Sequence, residues 1–231
     1  MKISLDGRLS VCASLVRKGA RLVDVGTDHA YLPVWLAVNG IITSAVACDI
    51  REKPLLAGIE NIKKYGCEDI VSARLSDGLD NIMPDEADDI VIAGMGAELI
   101  TAIIGRADWL KDPSKRLILQ PMTRVHMLRE FLCRNGFKII SETPCSQSGK
   151  NYSVIYVQYS GECRERSLFY YYTGELRPQD ELSAVYIRSI VSDLCKKRDG
   201  LAAAGADVSQ MNDVIDKIIK VYGVGNHDTG N

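Results

Sequence analysis

Residues 22–33, Leu-Val-Asp-Val-Gly-Thr-Asp-His-Ala-Tyr-Leu-Pro, constrain the fold more than any other segment of this chain. Apolar Leu22, Val23 and Val25 run into Gly26, and helix-like sequence resumes almost at once. This reads as a buried strand ending in a tight turn, where backbone without a Cβ comes close to a ligand. Asp24 and Asp28 bracket the glycine. A dinucleotide pyrophosphate calls for a glycine-rich turn with no carboxylate aimed at it. The acidic, single-glycine turn suits a cationic, nucleoside-bearing cofactor instead, and S-adenosyl-L-methionine is the candidate.

The rest of the chain alternates short apolar strands with amphipathic helices. Strands are expected at 21–25, 44–48, 70–74, 90–93, 117–119, 137–142 and 152–159. Helices are expected over 5–18, from Pro33 to Gly40, over 54–65, from after Gly96 to about 104, and over 125–135. Uninterrupted apolar strands separated by helices imply a mainly parallel sheet covered on both faces. The last two strands have only a polar loop between them, Pro144 to Asn151, so they should be antiparallel. The expected class is α/β, a Rossmann-like sheet of the class I methyltransferase kind, closed by one reversed strand. From Gly161 the character changes. An irregular aromatic stretch at 169–172 precedes helices starting near Pro178 and Val208, read as a helical hairpin. The expected division is a cofactor-binding domain over 1–160 and a small helical one over 161–231, with a frayed tail from Gly223.

Composition adds exclusions. The formal charge is −2 and neither part has a basic excess, so an RNA partner would need a local patch rather than a global field. Seven cysteines form no Cys-x-x-Cys pair, and no apolar run approaches the ~20 residues of a membrane span. A reduced, cytoplasmic setting without a signal peptide is expected. His126 and His227 have no companion ligands, so no metal site is expected.

Ligands of doubly wound sheets lie over the carboxyl ends of the strands. Four turns fall there: Gly26-Thr27-Asp28, Asp49-Ile50, Ser76-Asp77-Gly78 and Ala93-Gly94-Met95-Gly96. Asp49 stands one βα unit beyond the first turn, where a carboxylate accepts from ribose hydroxyls. Asp77 is placed to accept from an adenine amine. Gly94 and Gly96 let backbone approach the methionine end of the cofactor. Plainer readings exist for each: Asp24 as a strand-end carboxylate, Asp28 as a helix N-cap, Asp77-Gly78 as an ordinary turn. His29 is a base or, more simply, a structural donor. Tyr31 stacks on a substrate base or packs.

The strings Asp24 to Pro33, Ser76-Asp77-Gly78-Leu79, Ile92-Ala93-Gly94-Met95-Gly96 and Leu117-Ile118-Leu119-Gln120-Pro121, together with Arg8-Leu9, resemble the bacterial tRNA (adenine-22-N1)-methyltransferase family. The resemblance implies a Rossmann-like S-adenosylmethionine domain, a small coiled-coil-like helical domain that helps hold tRNA, and methylation of adenine N1 in the D-arm. The chain departs from the family's pattern at Ala97, which stands where Gly is usual, and at Met122, which stands where Asn is usual. N1 is unprotonated at neutral pH, so no general base is required; placement and exclusion of water are. The carbonyls of Ala93 and Gly94, or the Gln120 side-chain oxygen, are expected to accept from the adenine amine, and Tyr31 to stack on the exposed base. Arg8, Lys18, Arg21, Arg124, Arg129 and the cluster Lys196-Lys197-Arg198 are the basic side chains expected to meet phosphates. A nicotinamide-dependent oxidoreductase would want glycines at 27–29. A non-catalytic RNA-binding module would have no use for the acidic strand ends.

Overall fold

The computed structural model describes residues 3–224, so His227 and the end of the tail lie outside the described residues. Seven strands form one sheet: β1 (Arg21–Val25), β2 (Ser44–Asp49), β3 (Val71–Leu75), β4 (Asp89–Met95), β5 (Arg116–Pro121), β6 (Phe137–Gln147) and β7 (Lys150–Tyr159). Their order across the sheet is β3-β2-β1-β4-β5-β7-β6. The first five neighbours pair in parallel, and β7 runs antiparallel to both β5 and β6. The α/β class, the mainly parallel sheet and the single reversed strand are as expected.

Period-two alternation sends successive side chains of each central strand to opposite faces. Val23, Val25, Ile90, Ile92, Leu117 and Leu119 pack beneath α4 (Ala97–Arg106) and α5 (Val125–Arg134). Leu22, Val91 and Ile118 face the other way, onto α1 (Gly7–Leu15), α2 (Tyr31–Val38) and α3 (Glu52–Lys64). Burial on both faces is the reason the strands read as unbroken apolar runs.

Two expectations needed correction. The loop expected over Pro144–Asn151 is instead the end of a long hairpin, with Cys145 opposite Tyr152 and Gln147 opposite Lys150. Its turn is Ser148-Gly149, both at positive φ (50° and 73°), the geometry favoured by two-residue hairpins. β6 is an edge strand, which tolerates the missing N–H of Pro144. The aromatic stretch at 169–172 lies in a short helix, α6 (Leu168–Thr173), capped by the Ser167 hydroxyl.

α7 (Glu181–Ala203) and α8 (Ser209–Tyr222) fold back on each other and, with α6, enclose a separate apolar cluster that includes Tyr186, Ile187, Leu194, Ile215 and Ile218. α7 also packs on β6 and β7. Beside this junction, Arg129 of α5 is wholly buried. Its Nε donates to Glu142 at 2.8 Å, and its Nη1 donates to the carbonyls of Tyr171 and Tyr172 at the end of α6. Arg129 is therefore unavailable to phosphate, contrary to expectation.

Candidate functional site

The strand order reverses between β1 and β4, and a cavity of about 880 Å³ opens over the carboxyl ends of the strands at this switch point. The β1 turn is tied to its neighbour: the N–H groups of Gly26 and Thr27 both donate to the Cys48 carbonyl, at 2.8 and 2.9 Å. Gly26 has φ 73°, and a Cβ there would overlap the Met95 methyl group. Backbone is thereby exposed to the cavity where side chains would otherwise fill it.

Asp24, Gly26, Thr27, Asp28, Asp49 and Ile50 line this cavity, as expected. So do Asp77, Gly78, Ala93, Gly94, Met95, Tyr31 and Arg8. Asp24 is buried and accepts from the Thr27 hydroxyl at 2.6 Å. Burial pushes its carboxyl up to about 6, nearby Asp49 adds to the rise, and the Thr27 bond opposes it. Asp49, the last residue of β2, is also buried, and its Oδ1 accepts from the Arg51 amide at 2.8 Å. Asp77 pairs with Arg106 of α4 at 3.0 Å, which holds its carboxyl below the ordinary range.

Other expected residues stand elsewhere. His29 is off the cavity wall; its ring stacks on Tyr31 (centroids 5.4 Å apart), while its φ of 61° and that of Ala30 turn the chain into α2. Asp28 is not a helix N-cap, because Ala30 occupies that position without a side-chain bond. Gly96 caps α4 behind Met95. Gln120 is wholly buried, and its Oε1 accepts from both the Gly94 amide (3.1 Å) and Arg8 Nη1 (2.9 Å). Both lone pairs of that oxygen are engaged, so it does not receive an amine from a substrate. Arg8 is no surface cation either. Its guanidinium is held inside the cavity by Gln120 and by Asp6 at 3.0 Å.

Lys196, Lys197 and Arg198 do not form one patch, since successive helix residues point about 100° apart. Lys196 lies near Asp193, and Arg198 pairs with Asp199. Lys197 faces a second groove, of about 340 Å³, lined also by Arg124, His126, Asn151 and Tyr172. Burial and the charges of Lys197, Arg129 and Arg124 depress the His126 pKa. Met122 borders both this groove and the main cavity. Met122 and Leu99 of α4 are exposed at the rim, where sequence reasoning had placed no apolar contact. The one legible signal was a leucine on the solvent side of an amphipathic helix whose other large apolar residues, Ile100, Ile103 and Ile104, are buried.

The donor set fits a cationic nucleoside. Five carboxylates line the cavity against two cations, Arg8 and Arg51. Among the described residues no group of three or more metal-ligating side chains occurs, and no helix is long and apolar enough to cross a membrane.

Residues 5–155 match the sequence model of a family described as a methyltransferase domain. The chain belongs to this methyltransferase family. Within it, the tRNA (adenine(22)-N(1))-methyltransferase of Bacillus subtilis is 36% identical over 154 residues, covering 67% of this chain. The match spans about 65% of that relative's length. The structure of Streptococcus pneumoniae Sp1610, a putative tRNA (m1A22) methyltransferase in complex with S-adenosyl-L-methionine, superposes with a TM-score of 0.79 at 30% identity, covering 93% of this chain and 98% of that one. TrmK of M. capricolum in complex with S-adenosyl-homocysteine superposes at 0.77 with 25% identity, over 95% and 98% of the two chains. The resemblance read from residues 8–121 is borne out, and the methyltransferase fold with it.

Proposed function

We infer that this methyltransferase carries a methyl group from S-adenosyl-L-methionine to N1 of an adenine in the D-arm of tRNA, at position 22, as a cytoplasmic enzyme. The observation that carries the reading is the acidic cavity at the switch point. Buried carboxylates stand at the ends of β1 and β2, and a turn with no room for a Cβ lies between them. Similarity to the B. subtilis enzyme supplies the base and its position.

S-Adenosyl-L-methionine, when bound, supplies a sulfonium-activated methyl group. Asp49 and Asp77 would hold its nucleoside, and Gly26, Thr27, Asp28 and the Ala93–Gly94 segment would hold its other end. Gln120 fixes the Gly94 peptide through the amide hydrogen bond. Register slips between Ala93 and Met95, leaving Gly94 without a register partner at the strand end that lines the cavity. The carbonyls of Ala93 and Gly94 then accept from the adenine N6 amine, whose acidity rises as the ring becomes cationic. No side chain has to remove a proton from N1.

Tyr31, backed by His29, offers a ring face at the rim to stack the extruded adenine, and Leu99 and Met122 shield it from water. Residues 1–160 carry the chemistry in this reading and 161–231 help hold the RNA. Past Met122 the strand enters the groove of Arg124, His126 and Lys197. The test is methyl transfer from labelled S-adenosylmethionine to unmodified tRNA, with the product nucleoside identified by mass. 1-Methyladenosine at position 22, lost when A22 is replaced by G, is the expected result; transfer to another base refutes the substrate assignment.

A further inference from the structure

The turn between β1 and α2 is anchored twice, by different elements. Its first half is tied to β2 and to its own strand: the Gly26 and Thr27 amides donate to the Cys48 carbonyl, and the Thr27 hydroxyl donates to Asp24. Its second half is tied to α3, where Asn61 Nδ2 donates to the His29 carbonyl at 2.9 Å. Asp28, between the two anchors, is exposed.

The second half is the strained one. His29 and Ala30 stand at φ 61° and 54°, two successive residues with a Cβ in the left-handed region. Such backbone persists only where its surroundings over-determine it, and it gathers at functional sites. Here α3 supplies the surroundings. Ala30 is wholly buried, and Gly58, three residues before Asn61 on the same face of α3, packs against it. A Cβ on Gly58 would stand 3.3 Å from the Ala30 Cβ and 3.7 Å from the His29 carbonyl carbon. An extended Ser or Asp cap would start α2 without strain. What the left-handed pair sets instead is the direction in which Tyr31, the first residue of α2, leaves the turn. The Tyr31 ring stacks on the His29 ring and is exposed on the cavity wall. The start of α2 and the His29 stack both fix that ring, and both pass through the peptide that Asn61 holds.

We propose that Asn61 is a positioning residue for the substrate base: by holding the His29–Ala30 peptide it presets Tyr31 to stack the extruded adenine, a role that rests on the reading of Tyr31 given above. A platform fixed before the base arrives has no ordering cost left when it does, and it aims N1 at the methyl group. The cofactor half of the turn stands on β2 without help from α3. Loss of Asn61 therefore strikes turnover of the RNA and spares the affinity for the cofactor.

Steady-state methyl transfer to unmodified tRNA, paired with calorimetric titration of S-adenosylhomocysteine, tests the assignment on the full-length protein. Asn61→Ala is expected to lower kcat/KM for tRNA about tenfold or more and to leave the S-adenosylhomocysteine Kd within about twofold. In a Tyr31→Ala background the same change should have no further effect on kcat/KM, because the ring it positions is gone. Equal losses of cofactor affinity and turnover, or effects that multiply in the double variant, would assign Asn61 to the fold and overturn the proposal. Ala30→Gly covers the case in which Asn61→Ala fails to fold. Glycine accepts the left-handed conformation, so this variant frees the turn without straining it, and turnover should fall while the cofactor Kd holds. Undiminished turnover by Ala30→Gly overturns the proposal. Full turnover by Tyr31→Ala would instead remove the reading of Tyr31, and this proposal with it.

Discussion

The carboxylate of Asp24 accepts a 2.6 Å hydrogen bond from the hydroxyl of Thr27, three residues along the same turn. Burial raises the Asp24 carboxyl to about 6, above its ordinary value near 4. The folded chain therefore binds more protons than the unfolded chain between pH 4 and 6. By linkage, Asp24 makes the free protein more stable at pH 4 than at pH 7, by about 3 kcal/mol at most. Asp24→Asn should raise the melting temperature at pH 7 and flatten that part of the pH profile. The same variant should lose S-adenosylhomocysteine binding, and wild-type affinity should decline below about pH 6. Unchanged binding by Asp24→Asn would show that the charge is not used.

Gly26→Ala should separate ligand binding from folding. The φ of 73° costs an alanine about 1 kcal/mol, and the Met95 methyl group, at the end of a flexible side chain, must move aside. A drop of a few degrees in melting temperature is expected, with at least a tenfold loss in S-adenosylhomocysteine affinity by titration. Proportionate loss of both would assign Gly26 to the fold alone.

Arg129 and Glu142 form a buried pair at the root of the C-terminal helices, and Glu142 Oε2 also accepts from the Glu175 amide. Removing one partner strands a buried charge. Arg129→Met and Glu142→Leu should each cost about 3–5 kcal/mol by denaturant unfolding, whereas the two together should recover much of the loss. Additive single effects would mean that the two side chains are not coupled.

Gln120→Ala removes the acceptor shared by the Gly94 amide and one Arg8 N–H at the cavity wall, a loss of about 1 kcal/mol for each hydrogen bond. Its expected signature is a fall in kcat and in cofactor affinity with little change in KM for tRNA. A rise confined to the tRNA KM would return Gln120 to direct substrate contact.

Of the three adjacent cations on α7, Lys197 alone faces the groove beside Met122. Lys197→Gln should weaken tRNA binding and lower the salt slope of log Kd by roughly 0.7–0.9, the share of one phosphate contact. Lys196→Gln should change neither. Equal effects of the two would replace the groove with a diffuse basic face.

Local pattern was enough for β1, whose bounds are those expected, and for the placement of the four acidic or glycine turns over one edge of the sheet. Apolar periodicity and glycine turns act within a few residues, and parallel strands covered by helices admit few arrangements, so these features survive translation from sequence. Arg8 was different. Its partner Gln120 is 112 residues away, and nothing near either residue tells that one amide oxygen is shared by a guanidinium and the Gly94 N–H. The 144–151 segment read as a loop because its polar residues suit an edge strand, and edges are known only once the whole sheet is assembled. Lys196, Lys197 and Arg198 are equivalent as a string, yet helix rotation and the packing of α7 give only Lys197 a groove. Sequence determined the sheet and the acidic turns through short-range patterning. Tertiary packing decided which charged and amide groups meet inside the cavity, because those meetings depend on segments that lie far apart along the chain, α1 against β4 and β5.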